Sequence, residues 1–218
     1  MSTDPGDAFD RQLEPCKDCG RLPDSFMLHT WNYQKPCVQF HTHSEWRPNP
    51  CKVFYLAESP PGTSNGYFYN PPATPTYRAT LRNALFQLLR ISRGDPLAGL
   101  REFRDTGFFL SDAVKCRCDK GDRAQLPMSL VRNCGEQWLA RELELVNPQK
   151  ICTLGKAALR ALSTVSGCEE LESYNAGEHC GRIVNVARPV LIWVFPGTRT
   201  SNFSSGHEET FRKFAVDP

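Results

Sequence analysis

Long hydrophobic runs are missing from this sequence. Nowhere in its 218 residues do roughly 20 consecutive apolar side chains occur, the length that a helix needs to cross a bilayer. The first residues, Met1 to Gly6, also lack the basic segment followed by an apolar one that marks a secretory signal. These two absences argue against a secreted or membrane-spanning protein, and we expect a cytoplasmic protein of a prokaryotic cell with no membrane partner.

A strong excess of either charge is missing as well. Lys and Arg number 26 and Asp and Glu number 24, so the net charge is only +2 at pH 7. A balance this even does not by itself indicate a nucleic-acid partner. Positive residues do gather locally at Lys115, Arg117, Lys120 and Arg123, a pattern that alone is typical of a solvated surface.

Cysteine, by contrast, is abundant, with ten residues. In a chain without a secretory signal this number points to metal or redox chemistry and away from a disulfide framework. Cys16 and Cys19 have the two-residue gap of a chelating pair, and Cys116 and Cys134 are the candidates for distant partners. Four thiolates that converge from separate loops suit a soft metal or an iron–sulfur cluster. A zinc site, the replacement of one ligand by Cys118, and no metal at all are the alternatives.

Apolar segments bounded by turn residues predict the strands and helices. Strands are expected over residues 52–57, 108–110, 151–155 and 190–196, and helices over 81–89, 128–146, 156–162 and 208–214. This alternation predicts a three-layer α/β/α sandwich around a short, mostly parallel four-stranded sheet. Cys152 lies in one of these strands and is expected to be an ordinary buried thiol. We expect a single domain over residues 1–218, with residues 1–15 flexible and residues 16–51 forming a loop-rich extension.

Polar motif residues follow the predicted strands at the ends where a parallel sheet binds its ligands. Glu58 and Ser59 come directly after the first strand, and Asp112 ends the second. Lys156 opens the helix after the third strand, and Arg199 lies in the loop after the last one. We therefore expect these side chains to share one edge of the sheet.

Short blocks spread over most of the chain occur in the order found in a known enzyme family. They are C-x-x-C at residues 16–19, A-E-S-P-P-G at 57–62, G-Y-F at 66–68, F-L-S-D-A-V-K-C-R at 109–117, L-G-K-A-A at 154–158 and F-P-G-T-R-T at 195–200. Together these blocks resemble the uracil-DNA glycosylase superfamily, and they are nearest its iron–sulfur branch, family 4. The resemblance implies an enzyme that flips a base out of DNA and hydrolyses its N-glycosidic bond.

The resemblance also implies a cofactor. Cys16, Cys19, Cys116 and Cys134 match, in order, the residues that hold a four-iron, four-sulfur (4Fe-4S) cluster in that branch. The cluster would be structural and would fasten the extension of residues 16–51 to the surface that faces DNA. Zinc held by the same residues is the alternative.

Four residues of the pocket are assigned by the same resemblance. Glu58 falls on the family glutamate that orients or deprotonates the attacking water, although a glutamate at a strand end can also be a plain loop cap. Ser59 borders the base, where other branches carry an Asp or Asn that activates water. Phe68 matches an aromatic residue that stacks on the extruded base. Arg199 stands where the family has a histidine, and its fixed charge would stabilise the departing base at O2.

Contacts with DNA outside the pocket are implied for four more residues. Phe203 falls where the family inserts an apolar wedge into the duplex, and a simple surface loop residue is the alternative. Lys156 opens a helix whose N-terminus is available to phosphate. Lys115 and Arg117, from the basic run beside the motif, are expected to contact the DNA backbone.

Asp112 departs from the family pattern in a way that changes the expected substrate. The family has an asparagine there, which donates to uracil O4 and accepts from N3–H. An ionised carboxylate only accepts, so it suits the N4 amino group of cytosine, whose edge has the reverse pattern. A proton shared between Asp112 and N3 would complete the contact and improve the leaving group. The alternative is an ion pair of Asp112 with Lys115 or Arg117.

These observations predict a monomeric, monofunctional DNA glycosylase with no obligate protein partner. Its expected substrate is a C5-modified cytosine, such as glucosylated hydroxymethylcytosine. Asp112 favours cytosine, and the loop between Glu58 and Phe68 is shorter than in the family, which leaves room at the C5 edge of the base. A role in defence against phages follows by analogy with superfamily members that excise such bases. No lysine at a motif position would form a Schiff base, so no lyase step is expected. A repair glycosylase for uracil or another deaminated base, and a non-catalytic DNA-binding member, are the alternatives.

Overall fold

The computed structural model describes residues 45–60, 68–69, 80–92, 94–115, 126–194 and 205–217. Expectations that fall on other residues, among them the prediction that residues 1–15 are flexible and most of the predicted extension 16–51, lie outside the described residues. The prediction of a single domain over residues 1–218 therefore stays a prediction.

The described residues form one five-stranded sheet. Its strands are β1 (Val53–Ala57), β2 (Phe108–Asp112), β3 (Lys150–Leu154), β4 (Ile183–Asn185) and β5 (Pro189–Trp193), and their order across the sheet is β2-β1-β3-β5-β4. Four strands are parallel to one another, and β4 pairs antiparallel with β5 at the edge. The four predicted strands are thus all present. The fifth strand was not predicted because three residues are too few to show a periodic pattern.

Helices connect the strands. They are α1 (Thr80–Leu89), α2 (Pro96–Asp105), α3 (Met128–Cys134), α4 (Ala140–Val146), α5 (Lys156–Leu162) and α6 (Ser205–Val216), with a 3₁₀ turn at Glu169–Ser173. Helix α2 was not predicted, although its start signals are present: Pro96 opens the helix, and the Asp95 carboxylate accepts from the backbone N–H of Leu97 at 2.9 Å. In the described part of the chain, no helix has both the length and the apolar character needed to span a membrane.

The long helix predicted over residues 128–146 is continuous but contains a π turn. The turn covers Gly135–Leu139 and joins α3 to α4. A Cβ atom at Gly135 would lie 2.4 Å from the Thr164 hydroxyl oxygen and 2.7 Å from the carbonyl oxygen of Ala161. Glycine is therefore required where this helix crosses the end of α5, and the crossing fixes the position of Cys134 beside it.

The two faces of the sheet are covered by different helices. Tyr55, on one face, packs its ring against Phe103 of α2 at 5.7 Å and Phe211 of α6 at 5.9 Å between centroids. Ser111 lies on the opposite face, because Leu110 is in register with Tyr55 and side chains alternate along a strand. It contacts Glu142 of α4 there. The predicted three-layer architecture is confirmed, and Cys152 is fully buried in β3, as expected.

Tyr69 covers the β2 edge of the sheet that the described residues form. Its hydroxyl donates to the carbonyl of Leu110 at 3.0 Å and accepts from the N–H of Leu110 at 2.7 Å. Its ring also stacks on Phe109, with 6.2 Å between centroids. The outward-facing backbone groups of an edge strand otherwise need water or another strand, so this side chain protects β2 from unwanted pairing.

Two buried tyrosines provide a matched stability test. The Tyr69 hydroxyl makes two backbone hydrogen bonds, whereas the Tyr55 hydroxyl is buried and has no hydrogen-bond partner among the described residues. We predict that Tyr69→Phe lowers the free energy of unfolding by about 1–3 kcal/mol, because it leaves the Leu110 groups unpaired. Tyr55→Phe should be neutral or stabilising. Urea unfolding of both variants checks this, and an equal loss in the two would contradict it.

Candidate active site

The carboxyl ends of β1 and β2 lie side by side. Ala57 is in register with Asp112. The pairing continues beyond the strands, since the N–H of Ala113 donates to the Ala57 carbonyl at 2.8 Å and the N–H of Val114 donates to the Glu58 carbonyl at 2.9 Å. These bonds hold the backbones of Glu58 and Asp112 next to each other, so the structure brings together two of the predicted site residues.

The same edge continues through β3 and β5. Gly155 follows β3 with φ near +101°, a conformation that favours glycine, and its N–H donates to the Trp193 carbonyl at 2.8 Å. Lys156 comes next, exposed at the start of α5. The expectation that the motifs share one sheet edge is confirmed for the ends of β1, β2 and β3. Arg199 and Phe203, in the segment after β5, lie outside the described residues.

Asp112 is almost entirely buried. Its relative exposure is 3%, and it closes the last residue pair between β1 and β2. Glu58 and Ser59 are half-buried at the neighbouring strand end, although Oε1 of the Glu58 carboxylate is itself enclosed. The edge therefore presents an enclosed carboxyl group beside a more accessible one, an arrangement suited to one group that reads a ligand and another that handles water.

A group of buried polar side chains lies directly behind Asp112. The Ser111 hydroxyl donates to the Glu142 carboxylate at 2.8 Å and accepts from the Lys115 ammonium at 2.8 Å. The ammonium also donates to Glu142. We call Ser111, Lys115 and Glu142 the buried triad. It connects the end of β2 to α4 on the face of the sheet opposite Asp112.

Comparison with protein families decides between the folds that share this architecture. A family model described as the uracil DNA glycosylase superfamily matches residues 46–217. The chain belongs to the uracil DNA glycosylase superfamily. A search of curated proteins found no match. Members of this superfamily are generally DNA glycosylases, so the edge that holds Glu58 and Asp112 is the candidate active site.

Lys115 does not occupy the surface position that was expected of a DNA contact. Its side chain is 2% exposed, and its ammonium is bonded to Ser111 and Glu142. In this glycosylase-superfamily fold, therefore, the lysine supports the sheet edge from inside. The partners of Lys115 are thus Ser111 and Glu142, which argues against the alternative in which Lys115 forms an ion pair with Asp112. The other alternative, an ion pair of Asp112 with Arg117, lies outside the described residues.

Phe68 lies in an aromatic cluster. It is 3% exposed, and its ring centroid is 4.9 Å from that of Tyr69, 6.0 Å from Phe86 and 5.2 Å from Phe103. Its carbonyl accepts from Arg82 at 2.9 Å. The Phe68 ring is therefore fixed by contacts with other aromatic rings of the protein. Its stacking on a base stays a prediction.

Only one of the four predicted cluster ligands is described. Cys134 is buried as the last residue of α3, whereas Cys16, Cys19 and Cys116 lie outside the described residues. Within the described ranges no group of three or more His, Cys, Asp or Glu side chains is placed to hold a metal. The cluster therefore stays a prediction.

Other cysteines have the properties of core thiols. Burial raises the pKa of Cys51 to about 12 and that of Cys152 well above its usual value. Both groups thus remain protonated at neutral pH, whereas a metal ligand acts as the thiolate. Both side chains pack in the interior of the domain.

Sequence reasoning missed two residues near the site. Glu142 lies between Leu139 and Leu143 on the apolar side of a predicted helix, and a charge at such a position was a signal that something opposite must pair with it. His207 lies in the first turn of α6, with its ring 6.4 Å from that of Trp193 at the end of β5. No motif pointed to His207.

The buried triad predicts a specific pattern of stabilities. Lys115→Met leaves the Glu142 carboxylate buried without its cation and should cost about 3–5 kcal/mol. The apolar triple variant Ser111→Ala/Lys115→Met/Glu142→Leu removes every member and should recover most of that loss. Urea unfolding measures both, with the exposed ion pair variant Arg132→Gln as control. If Lys115→Met lowered the free energy of unfolding by less than about 1 kcal/mol, as expected for an exposed ion pair, the assignment of a buried ion pair would be contradicted.

Proposed function

We propose that this protein is a monofunctional DNA glycosylase that flips out and excises a C5-modified cytosine, such as glucosylated hydroxymethylcytosine, and leaves an abasic site. Superfamily membership supports the glycosylase activity. The proposed setting is defence against phages, whose DNA carries such bases.

The observation that carries the substrate assignment is the place of Asp112. It is an acidic residue, 3% exposed, at the sheet edge where this architecture binds ligands. A carboxylate there accepts from the N4 amino group of cytosine, and one proton shared with N3 completes the pair. Uracil would present its O4 acceptor to an acceptor, and a mismatch of this kind in a closed pocket costs roughly 10⁴-fold in rate.

The proposed reaction breaks one bond and forms one. The N-glycosidic bond breaks, its electron pair leaves with the base, and the sugar passes through an oxocarbenium-like state. Protonation at N3, shared with Asp112, makes the base a better leaving group, and Arg199 stabilises its developing charge at O2. Glu58 orients a water molecule and takes its proton as the oxygen adds to the sugar carbon. Phe68 stacks on the extruded base, Ser59 borders it, and Arg117, Lys156 and Phe203 contact the DNA.

A 4Fe-4S cluster held by Cys16, Cys19, Cys116 and Cys134 is proposed as a structural element. The support from the described residues is limited to Cys134. It is a buried thiol at the end of α3, and the close contact of Gly135 with α5 fixes its position. When bound, the cluster would join the N-terminal segment to the rest of the domain, and no step of the reaction depends on it. Zinc is the alternative metal.

The substrate proposal is tested by alkaline cleavage of labelled DNA that carries uracil, cytosine, hydroxymethylcytosine or its glucosylated form. We predict cleavage at modified cytosine by the wild type. Asp112→Asn should lose this activity or shift it towards uracil, because the amide restores a donor. Glu58→Gln should slow cleavage of every substrate without changing the preference among them.

Other results would assign the protein differently. Cleavage at uracil by the wild type would contradict the cytosine assignment and indicate a conventional repair enzyme. DNA binding without cleavage of any substrate, unchanged in Glu58→Ala, would indicate a non-catalytic member of the superfamily.

The metal proposal is tested with two matched cysteine variants. We predict that the purified protein is brown and contains iron, and that Cys134→Ser loses both properties because a cluster ligand is gone. Cys168→Ala should keep them, since Cys168 is a buried thiol whose pKa is raised by burial. Visible absorbance and elemental analysis measure the outcome. Stoichiometric zinc without colour would establish the alternative metal, and iron retained in Cys134→Ser would exclude this residue as a ligand.

A further inference from the structure

The buried triad has no part in the proposed reaction, yet it is the most enclosed polar group near the site. Ser111 is 0% exposed, Lys115 2% and Glu142 0%. Every charged or hydroxyl group in it has a partner within the triad. A group this complete, one residue from Asp112, calls for a physical reason.

Stability does not supply that reason. Removing an ammonium and a carboxylate from water is costly, and their attraction in the interior often does no more than offset that cost. Apolar residues of similar volume are often as good or better at the same place. Apolar contacts do not fix the orientation of a side chain, because dispersion and burial change little when the side chain moves slightly. Hydrogen bonds to charged groups depend strongly on distance and angle, so they do fix it.

The triad fixes the direction of Asp112 through its neighbour in sequence. Ser111 and Asp112 are consecutive in β2, so their side chains point to opposite faces of the sheet. While Ser111 is bonded to Glu142 behind the sheet, Asp112 must face the other side. A slip of one residue would exchange the two side chains and turn Asp112 towards α4.

A second anchor lies after Asp112. Lys115, four residues after Ser111, donates to the same Glu142 carboxylate that Ser111 contacts. Between these two anchors the N–H groups of Ala113 and Val114 bond to the carbonyls of Ala57 and Glu58. The segment from Ser111 to Lys115 is therefore held at both ends and in the middle. The opposite charges of Lys115 and Glu142 also cancel, so this support adds no net charge beside Asp112.

We propose that Ser111, Lys115 and Glu142 are positioning residues that hold the Asp112 carboxylate in the orientation needed to read the base. This inference rests on the proposed function for the role of Asp112. It assigns to Lys115 a task in selectivity, carried out without contact with DNA or base.

The test uses the apolar triple variant Ser111→Ala/Lys115→Met/Glu142→Leu, which keeps the site residues and fills the interior. We expect kcat on modified cytosine to fall about 100-fold, the order expected when a reacting group is displaced by about 1 Å. KM should change little, and the preference for modified cytosine over uracil should weaken. Ser111→Thr, which keeps the hydroxyl, should retain more activity than Ser111→Ala. Arg132→Gln, at an exposed ion pair on α3, serves as the control.

Hydrogen exchange of the Ala113 and Val114 amides gives a second readout that does not depend on activity. It should quicken in the triple variant while exchange in β3 stays unchanged. Wild-type kcat, preference and exchange in a folded triple variant would overturn the proposal and leave the triad a purely structural pair. If the wild type itself cleaves no substrate, the proposed function fails. The base-reading part of the inference then fails with it, and the exchange arm decides only whether the triad holds the segment that carries Asp112: unchanged protection overturns this, and faster exchange supports it.

Discussion

The register between β1 and β2 is the constraint on which the site depends. β1 is bonded to β2 on one side and to β3 on the other, and its residues are buried along their whole length. A central strand in this position cannot slide without breaking both ladders and exchanging its two faces. Because Ala57 aligns with Asp112, the register sets which carboxyl groups meet at the sheet edge.

Support for that edge comes from both faces of the sheet. On one face, Tyr55, Phe103 and Phe211 form an aromatic layer that fixes α2 and α6. On the other, Ser111 and Lys115 are bonded to Glu142 of α4. The candidate site therefore lies at a sheet edge that is packed on both faces by described elements.

Local patterns were enough to predict most of the framework. Residues 156–162 were predicted as a helix and form one over the same bounds, because a short apolar repeat directly follows a strand and a glycine. The shared edge of the motifs also followed from the sequence, since parallel strands place all their carboxyl ends together. Glu58 and Asp112 lie there as predicted, whereas their chemical roles stay proposals.

The features that could not be predicted depend on contacts between residues far apart in the sequence. Lys115 lies in a run of positive residues that is typical of a solvated surface, and its partner Glu142 is 27 positions away in the chain. Nothing local distinguishes such a lysine from an exposed one. The same holds for Tyr69, which caps the Leu110 backbone 41 positions away. Both residues support the strand that carries Asp112, which neither pattern nor motif could show.

The proposed function requires that a base read by Asp112 is released intact by hydrolysis. It is tested most directly by mass spectrometry of the products from DNA that contains glucosylated hydroxymethylcytosine. We predict release of the free base with its glucose still attached, and an abasic site in the otherwise intact strand. Release of uracil alone from uracil-containing DNA, or no free base from any substrate, would contradict it.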